Sequence, residues 1–115
     1  MGKPVLWLGS SRRDIRSFPP EARRAAGYQL LRVQQGMEPI DWKPMTIIGN
    51  GVREIRVRAE TEHRVCYVAR FAEAIYVLHA FEKRTQKTRA RDVELARTRY
   101  RELLDWRREQ GYGKD

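Results

Sequence analysis

VREIRVRAETEHRVCYVARFAEAIYVLHAF, from Val52 to Phe81, decides the fold. In VREIRVR, Ile55 and Val57 alternate with Glu54, Arg56 and Arg58, the period-two pattern of a strand with one buried and one wet face. RVCYVAR (Arg64 to Arg70) and AIYVLHAF (Ala74 to Phe81) are richer in apolar residues, as central strands are. The connections AETEH and FAEA are short, which makes antiparallel pairing the simple expectation. Gly49-Asn50-Gly51 marks a tight turn ahead of the first strand.

Outward from these strands the period lengthens. Towards the N-terminus, Val5 to Leu8 is a short β-prone run. Ser10 or Ser11 then caps a helix reaching Phe18, where Pro19-Pro20 stops it. From Glu21, residues Ala22, Ala26, Leu30 and Val33 form a helical stripe that Gly36 ends. MEPIDWKPM, with prolines at 39 and 44, reads as a loop. Towards the C-terminus, Thr88 to Gln110 reads as a long helix with Val93, Ala96, Tyr100, Leu103 and Leu104 on its apolar stripe. Residues 111–115 form a frayed tail. The order β-α-α-β-β-β-α predicts one α+β domain over residues 1–115: helices on one face of a small, twisted, mainly antiparallel sheet.

A chain of 115 residues buries roughly two-thirds of its unfolded surface and folds without staples. Its one cysteine, Cys66, lies among apolar neighbours and reads as a small buried hydrophobe in a reducing, cytoplasmic setting. No apolar run approaches the ~18 residues of a membrane span, so no membrane partner is expected. Lys and Arg total 24 against 15 acidic residues, for a net charge of +9, and only five of the cations are lysine. Guanidinium is a planar fork suited to phosphate, so this bias favours a nucleic-acid partner. An acidic protein partner and an arginine-preferring proteome remain open.

The usual tools of metal and nucleotide enzymes are missing. With two histidines, His63 and His79, and no Cys-x-x-Cys or His-x-x-x-His spacing, no metal site is expected. No P-loop, Gly-x-Gly-x-x-Gly or Gly-x-Ser-x-Gly is present, and no cofactor is expected. His79 reads as a hydrogen-bonded interior histidine and His63 as part of an exposed turn. Glu54, Arg56 and Arg58 share one side of their strand, Arg64 and Arg70 one side of the next, and His79 and Phe81 one side of the third. The third strand runs into the basic stretch of Lys83, Arg84 and Lys87. If these sides coincide, the sheet carries a basic surface with a carboxylate and an aromatic in it. RNA cleavage through the 2′-hydroxyl needs a proton acceptor, a proton donor and cations around the phosphorane, and such a surface has those groups. The same pattern also fits a merely solvated sheet face.

GNGVREIRVR, HRVCYVARF and IYVLHAFEKRTQKTRARDVELARTRYREL resemble the phage-derived HigB-type branch of the RelE/ParE toxin superfamily. That branch typically carries a GxxELR-like strand, an RxxY strand, and a strand ending Phe-x-Lys-Lys-x-x-Lys-Thr-Pro before a helix. The resemblance implies a RelE/ParE-like α+β toxin of a type II toxin–antitoxin pair. It implies metal-independent cleavage of mRNA, commonly on the translating ribosome, and a cognate helix-turn-helix antitoxin. Matched residue by residue, Glu54 and Arg56 stand for the ELR Glu and Arg, and Arg64 and Tyr67 for the RxxY pair. Phe81, Lys83, Arg84 and Lys87 fall in the basic motif. The motif departs at Arg89, where the family usually has proline, and at Arg84, where it frequently has lysine.

The expected catalytic residues are therefore Arg56, Arg64 and Lys83 around the phosphate, with Glu54 as proton acceptor. Arg58, Phe81, Arg84 and Lys87 are the expected RNA-binding residues. Two other functions suit the same residues: a ParE-like toxin that inhibits DNA gyrase without nuclease activity, and a non-catalytic basic nucleic-acid-binding adaptor.

Overall fold

The computed structural model describes residues 2–84 and 90–113. Its elements are β1 (Val5–Trp7), α1 (Ser11–Arg16), α2 (Pro20–Gln34), β2 (Trp42–Pro44), β3 (Val52–Arg58), β4 (Glu62–Val68), β5 (Ile75–Lys83) and α3 (Ala90–Glu109). The expected α+β architecture is present. Five strands form one mixed sheet in the order β1-β5-β4-β3-β2, with β1 parallel to β5 and every other pair antiparallel. α1 and α2 therefore carry the chain from one edge of the sheet to the other.

Two expectations are corrected. The first concerns MEPIDWKPM: its centre is β2, which pairs Trp42 with Ile55 and Lys43 with Glu54. Pro44 is tolerated because β2 is an edge strand, where one missing N–H costs no ladder bond on the open side. The second concerns the helices, which lie on both faces of the sheet. Ile55, Val57, Val65, Tyr67, Ile75 and Val77 pack with Ala22, Ala26, Leu30 and Val33 of α2. The alternate residues Val52, Cys66, Val68, Tyr76 and Leu78 pack with Val93, Ala96, Tyr100 and Leu103 of α3. Strands buried on both sides must be apolar at nearly every position, which explains the continuous runs of β4 and β5.

Local chemistry sets the element ends. Pro20 occupies the first turn of α2, where its missing N–H is harmless, and Gly36 (φ 84°) closes the helix in the left-handed region. Gly49 has no room for a Cβ, because the Tyr100 ring fills that space and its hydroxyl donates to Asn50 O across 2.7 Å. β4 begins and ends two residues earlier than expected, and β5 continues to Lys83. The expected helix start at Thr88 falls outside the described residues; from Ala90 to Glu109 the helix is as read.

Candidate functional site

The ladder of β3, β4 and β5 builds the site as three rows on the α3 face. Glu54 lies opposite Cys66, and Cys66 opposite His79. Arg56 lies opposite Arg64, and Arg64 opposite Phe81. Arg58 lies opposite Glu62, and Glu62 opposite Lys83. The three strand sides inferred from sequence thus coincide. At the β2 edge, Lys43 extends the Glu54 row.

α3 is tied to the first of these rows. Its first turn is fixed by Asp92, whose Oδ1 is 2.8 Å from His79 Nε2, with both side chains buried. From there the helix runs away along Val93, Ala96 and Tyr100 to Arg107, which donates to Glu73 Oε2 at 2.7 Å and lies 3.6 Å from the Phe71 ring centroid. His79 is an interior, hydrogen-bonded histidine, as read. Phe81 stacks on its ring at 5.0 Å and 22° and remains half-buried. His63 corrects the sequence reading: it is buried on the opposite face, its ring 4.5 Å from that of Phe18, because position 63 belongs to β4 and not to a turn.

Two positively charged side chains side by side, Arg56 and Arg64, would repel across the ladder. Carboxylates interleave to prevent it. Arg64 donates through Nη1 to Glu54 Oε1 at 2.8 Å and through Nη2 to Glu62 Oε2 at 2.7 Å. Asp41 lies 3.0 Å from both Arg56 Nε and Arg58 Nε, and Lys43 Nζ is 3.8 Å from Glu54 Oε1. Four cations (Lys43, Arg56, Arg58, Arg64) thus pair with three carboxylates (Asp41, Glu54, Glu62), Lys83 stands beside them on the ladder, and the cluster keeps an excess of positive charge.

Burial divides these groups into a floor and a rim. Arg64 and Glu54 are sealed, with side chains 3% and 0% exposed. A sealed carboxylate cannot meet a ribose hydroxyl directly, so Glu54 lies in the floor and not at the surface expected of a proton acceptor. Arg64 keeps one buried N–H, at Nε, without a partner among the described residues. Arg58, Arg84 and half-buried Arg56, Glu62 and Lys83 form the rim. Arg84 is engaged with Glu82 at 2.9 Å. Lys87 lies outside the described residues.

Electrostatics distinguish the rim groups. The Arg64 hydrogen bond holds the Glu62 carboxyl below its ordinary range, with Arg58 and Lys83 adding to the effect. Lys83 is pushed the other way for an ammonium: partial burial lowers its pKa first, and the charge of Arg64 lowers it further. Lys83 makes no ion pair among the described residues, although Glu62 is its ladder partner, because Glu62 is turned to Arg64 and Arg58. Burial pushes the Cys66 thiol well up, and Glu54 adds to it, so Cys66 is an inert floor residue. No cluster of carboxylates, histidines or cysteines among the described residues is arranged to hold a metal ion.

Sequence reading missed Asp41, Lys43 and Glu62. Asp41 and Lys43 sit in the stretch read as loop, and nothing local marks a three-residue edge strand between prolines. Glu62 sits in the stretch AETEH, read as a connection between strands.

A family model described as Phage derived protein Gp49-like (DUF891) matches residues 13–101. The chain belongs to this family. The Gp49-like family is phage-derived, RelE-like and associated with toxin–antitoxin systems, so the protein is toxin-like and an antitoxin partner is implied. The match runs from α1 into α3 and takes in every row of the site. No curated protein matches the chain. No helix among the described residues is long and apolar enough to cross a membrane.

Proposed function

We propose that this Gp49-like protein is the toxin of a type II pair and cleaves mRNA on the translating ribosome, without metal, at the Arg56–Arg64–Phe81 and Arg58–Glu62–Lys83 rows. The observation that carries this reading is Lys83. It is a half-buried ammonium with no ion pair among the described residues, placed opposite a carboxylate and beside an aromatic ring.

The chemistry follows from those placements. The RNA phosphate sits at the rim between Lys83, Arg56 and Arg58, and Arg84 and Lys87 steer the backbone. Phe81 offers the ring edge left over from its stack on His79 to an unstacked base. The 2′-hydroxyl attacks the adjacent phosphorus and its proton passes to Glu62, which its cationic neighbours keep ionised at neutral pH. The phosphorane charge is met by fixed cations that need no reorganisation. The 5′-oxygen leaves with a proton from Lys83, whose lowered pKa makes it a better donor than an ordinary lysine. The products are a 2′,3′-cyclic phosphate and a 5′-hydroxyl end. Arg64 and Glu54 are positioning residues in this scheme: Arg64 orients Glu62 through one arm while Glu54 anchors the other. The antitoxin is a helix-turn-helix protein and the site of action is the cytoplasm.

The test is induced expression in a bacterial host, with primer extension on an abundant message while translation runs and after it is blocked. Growth arrest with cuts confined to running translation, absent in a folded Lys83→Met variant, is expected. Arrest with intact messages and inhibited DNA supercoiling would overturn the nuclease in favour of a gyrase-directed toxin.

A further inference from the structure

The opposite face of the sheet holds a second polar feature that RNA cleavage does not use. Tyr67 points to the α2 side, directly across the ladder from Arg53, and its side chain is fully buried. Its hydroxyl has no hydrogen-bond partner among the described residues. Burial pushes the phenol pKa up, and the neighbouring Arg53 guanidinium pulls it partly back without reaching hydrogen-bonding geometry. A buried hydroxyl with only a weak contact to Arg53 regains little of its lost hydration, so phenylalanine would be the cheaper residue here.

Tyr67 lines a cavity of about 300 Å³ together with Lys3, Val33, Met37, Glu38, Arg53 and Arg70, with its hydroxyl buried behind the wall. Lys3 is fixed there because its Nζ donates to Ala69 O at 2.6 Å and Phe71 O at 2.9 Å, which leaves one of its three N–H groups. Arg53 lies over the Trp42 ring at 4.1 Å and makes no ion pair among the described residues. Val33 and Met37 supply an apolar wall. Glu38 and the carbonyl end of α2 oppose an anion, but three cations outnumber them. A pocket with a few placed donors and an apolar wall has the build of a small-ligand site.

We propose that this cavity binds a small oxyanion, a carboxylate or phosphate group on a compact body, with the Tyr67 hydroxyl, the Arg53 guanidinium and the third Lys3 N–H as donors. A guanidinium fork accepts either anion, and Val33 and Met37 pack against the body. The site is separate from the Lys83 rim, on the other side of the sheet, and does not depend on the nuclease reading.

The experiment is a titration of the full ¹⁵N-labelled chain with butyrate and with inorganic phosphate, each against sodium chloride at equal ionic strength. One of the two anions is expected to saturate a single site and to shift the amides of residues 33–38, 53 and 67–70. Which one saturates distinguishes carboxylate from phosphate. Tyr67→Phe is expected to weaken that binding about tenfold or more while raising Tm, since it removes an unsatisfied hydroxyl. Arg53→Gln, at the half-buried rim, tests the same site should Tyr67→Phe fail to fold. Shifts that do not saturate, shifts matched by chloride, or undiminished binding in Arg53→Gln would each overturn the proposal. So would a Tyr67→Phe variant that binds as tightly as the native chain.

Discussion

Arg64 and Glu54 are joined across two adjacent strands by a 2.8 Å hydrogen bond inside the sheet, both sealed from water. A buried ion pair of this kind contributes little net stability over an apolar pair, but removing one partner leaves a charge without compensation. Arg64→Ala is therefore expected to cost about 3–5 kcal/mol in urea denaturation, whereas the double exchange Glu54→Leu, Arg64→Met is expected to fold with near-native stability. A loss of under about 1 kcal/mol in the single variant would show the pair to be hydrated, as surface pairs are. Activity lost in Arg64→Ala would say little about catalysis for the same reason, which makes Lys83 the cleaner probe.

Lys83 predicts the alkaline limb of activity. Its pKa lies below the ordinary 10.5, through burial first and then Arg64, and it serves only while protonated. Cleavage is expected to hold through neutral pH and to fall, as pH rises, earlier than an unperturbed lysine would dictate. Lys83→Arg should lower the rate at neutral pH and abolish that lysine-dependent fall, because a guanidinium keeps its charge but does not give up its proton. An alkaline limb that is identical in the native chain and Lys83→Arg would remove Lys83 from the proton inventory.

Glu73 predicts the acid limb of stability. The Arg107 hydrogen bond, helped by one from Tyr76, holds its carboxyl at about 2. The folded pKa is depressed, so this contribution is complete above the unfolded value of about 4.5 and is lost as pH falls towards about 2. Thermal melts across that window should show Tm falling with acid, and Glu73→Gln should flatten the slope. An unchanged slope in Glu73→Gln would assign acid sensitivity to other carboxylates.

Asp92 predicts how the first turn of α3 is held to the sheet. Its bond to His79 ties that turn to β5, and an acidic side chain also suits a helix N-terminus. Asp92→Ala is expected to speed amide exchange over the first turns of α3 while leaving the exchange of β3 and β4 near native. Uniform acceleration over the whole chain would mean that α3 and the sheet open as one unit.

What the sequence determined by itself was whatever a local period can encode. The alternation of Ile55 and Val57 with Glu54, Arg56 and Arg58 gives β3 and its two sides, and the continuous apolar runs give β4 and β5. Pro20 and Gly36 bound α2 because each residue type fits one end of a helix and not the other. The basic stretch after Phe81, with the strands before it, was sufficient for the family resemblance. The two-sided sheet was decided by tertiary structure, since an apolar run does not say whether one layer or two will cover it. The same holds for β2, whose three residues gain strand character only from pairing with β3. Burial of Arg64 and Glu54, the exposure of Glu62 and the isolation of Lys83 depend on register across three strands. Register is a long-range property: it determines which charge stands beside which, and hence which arginine is anchored and which lysine remains for a phosphate.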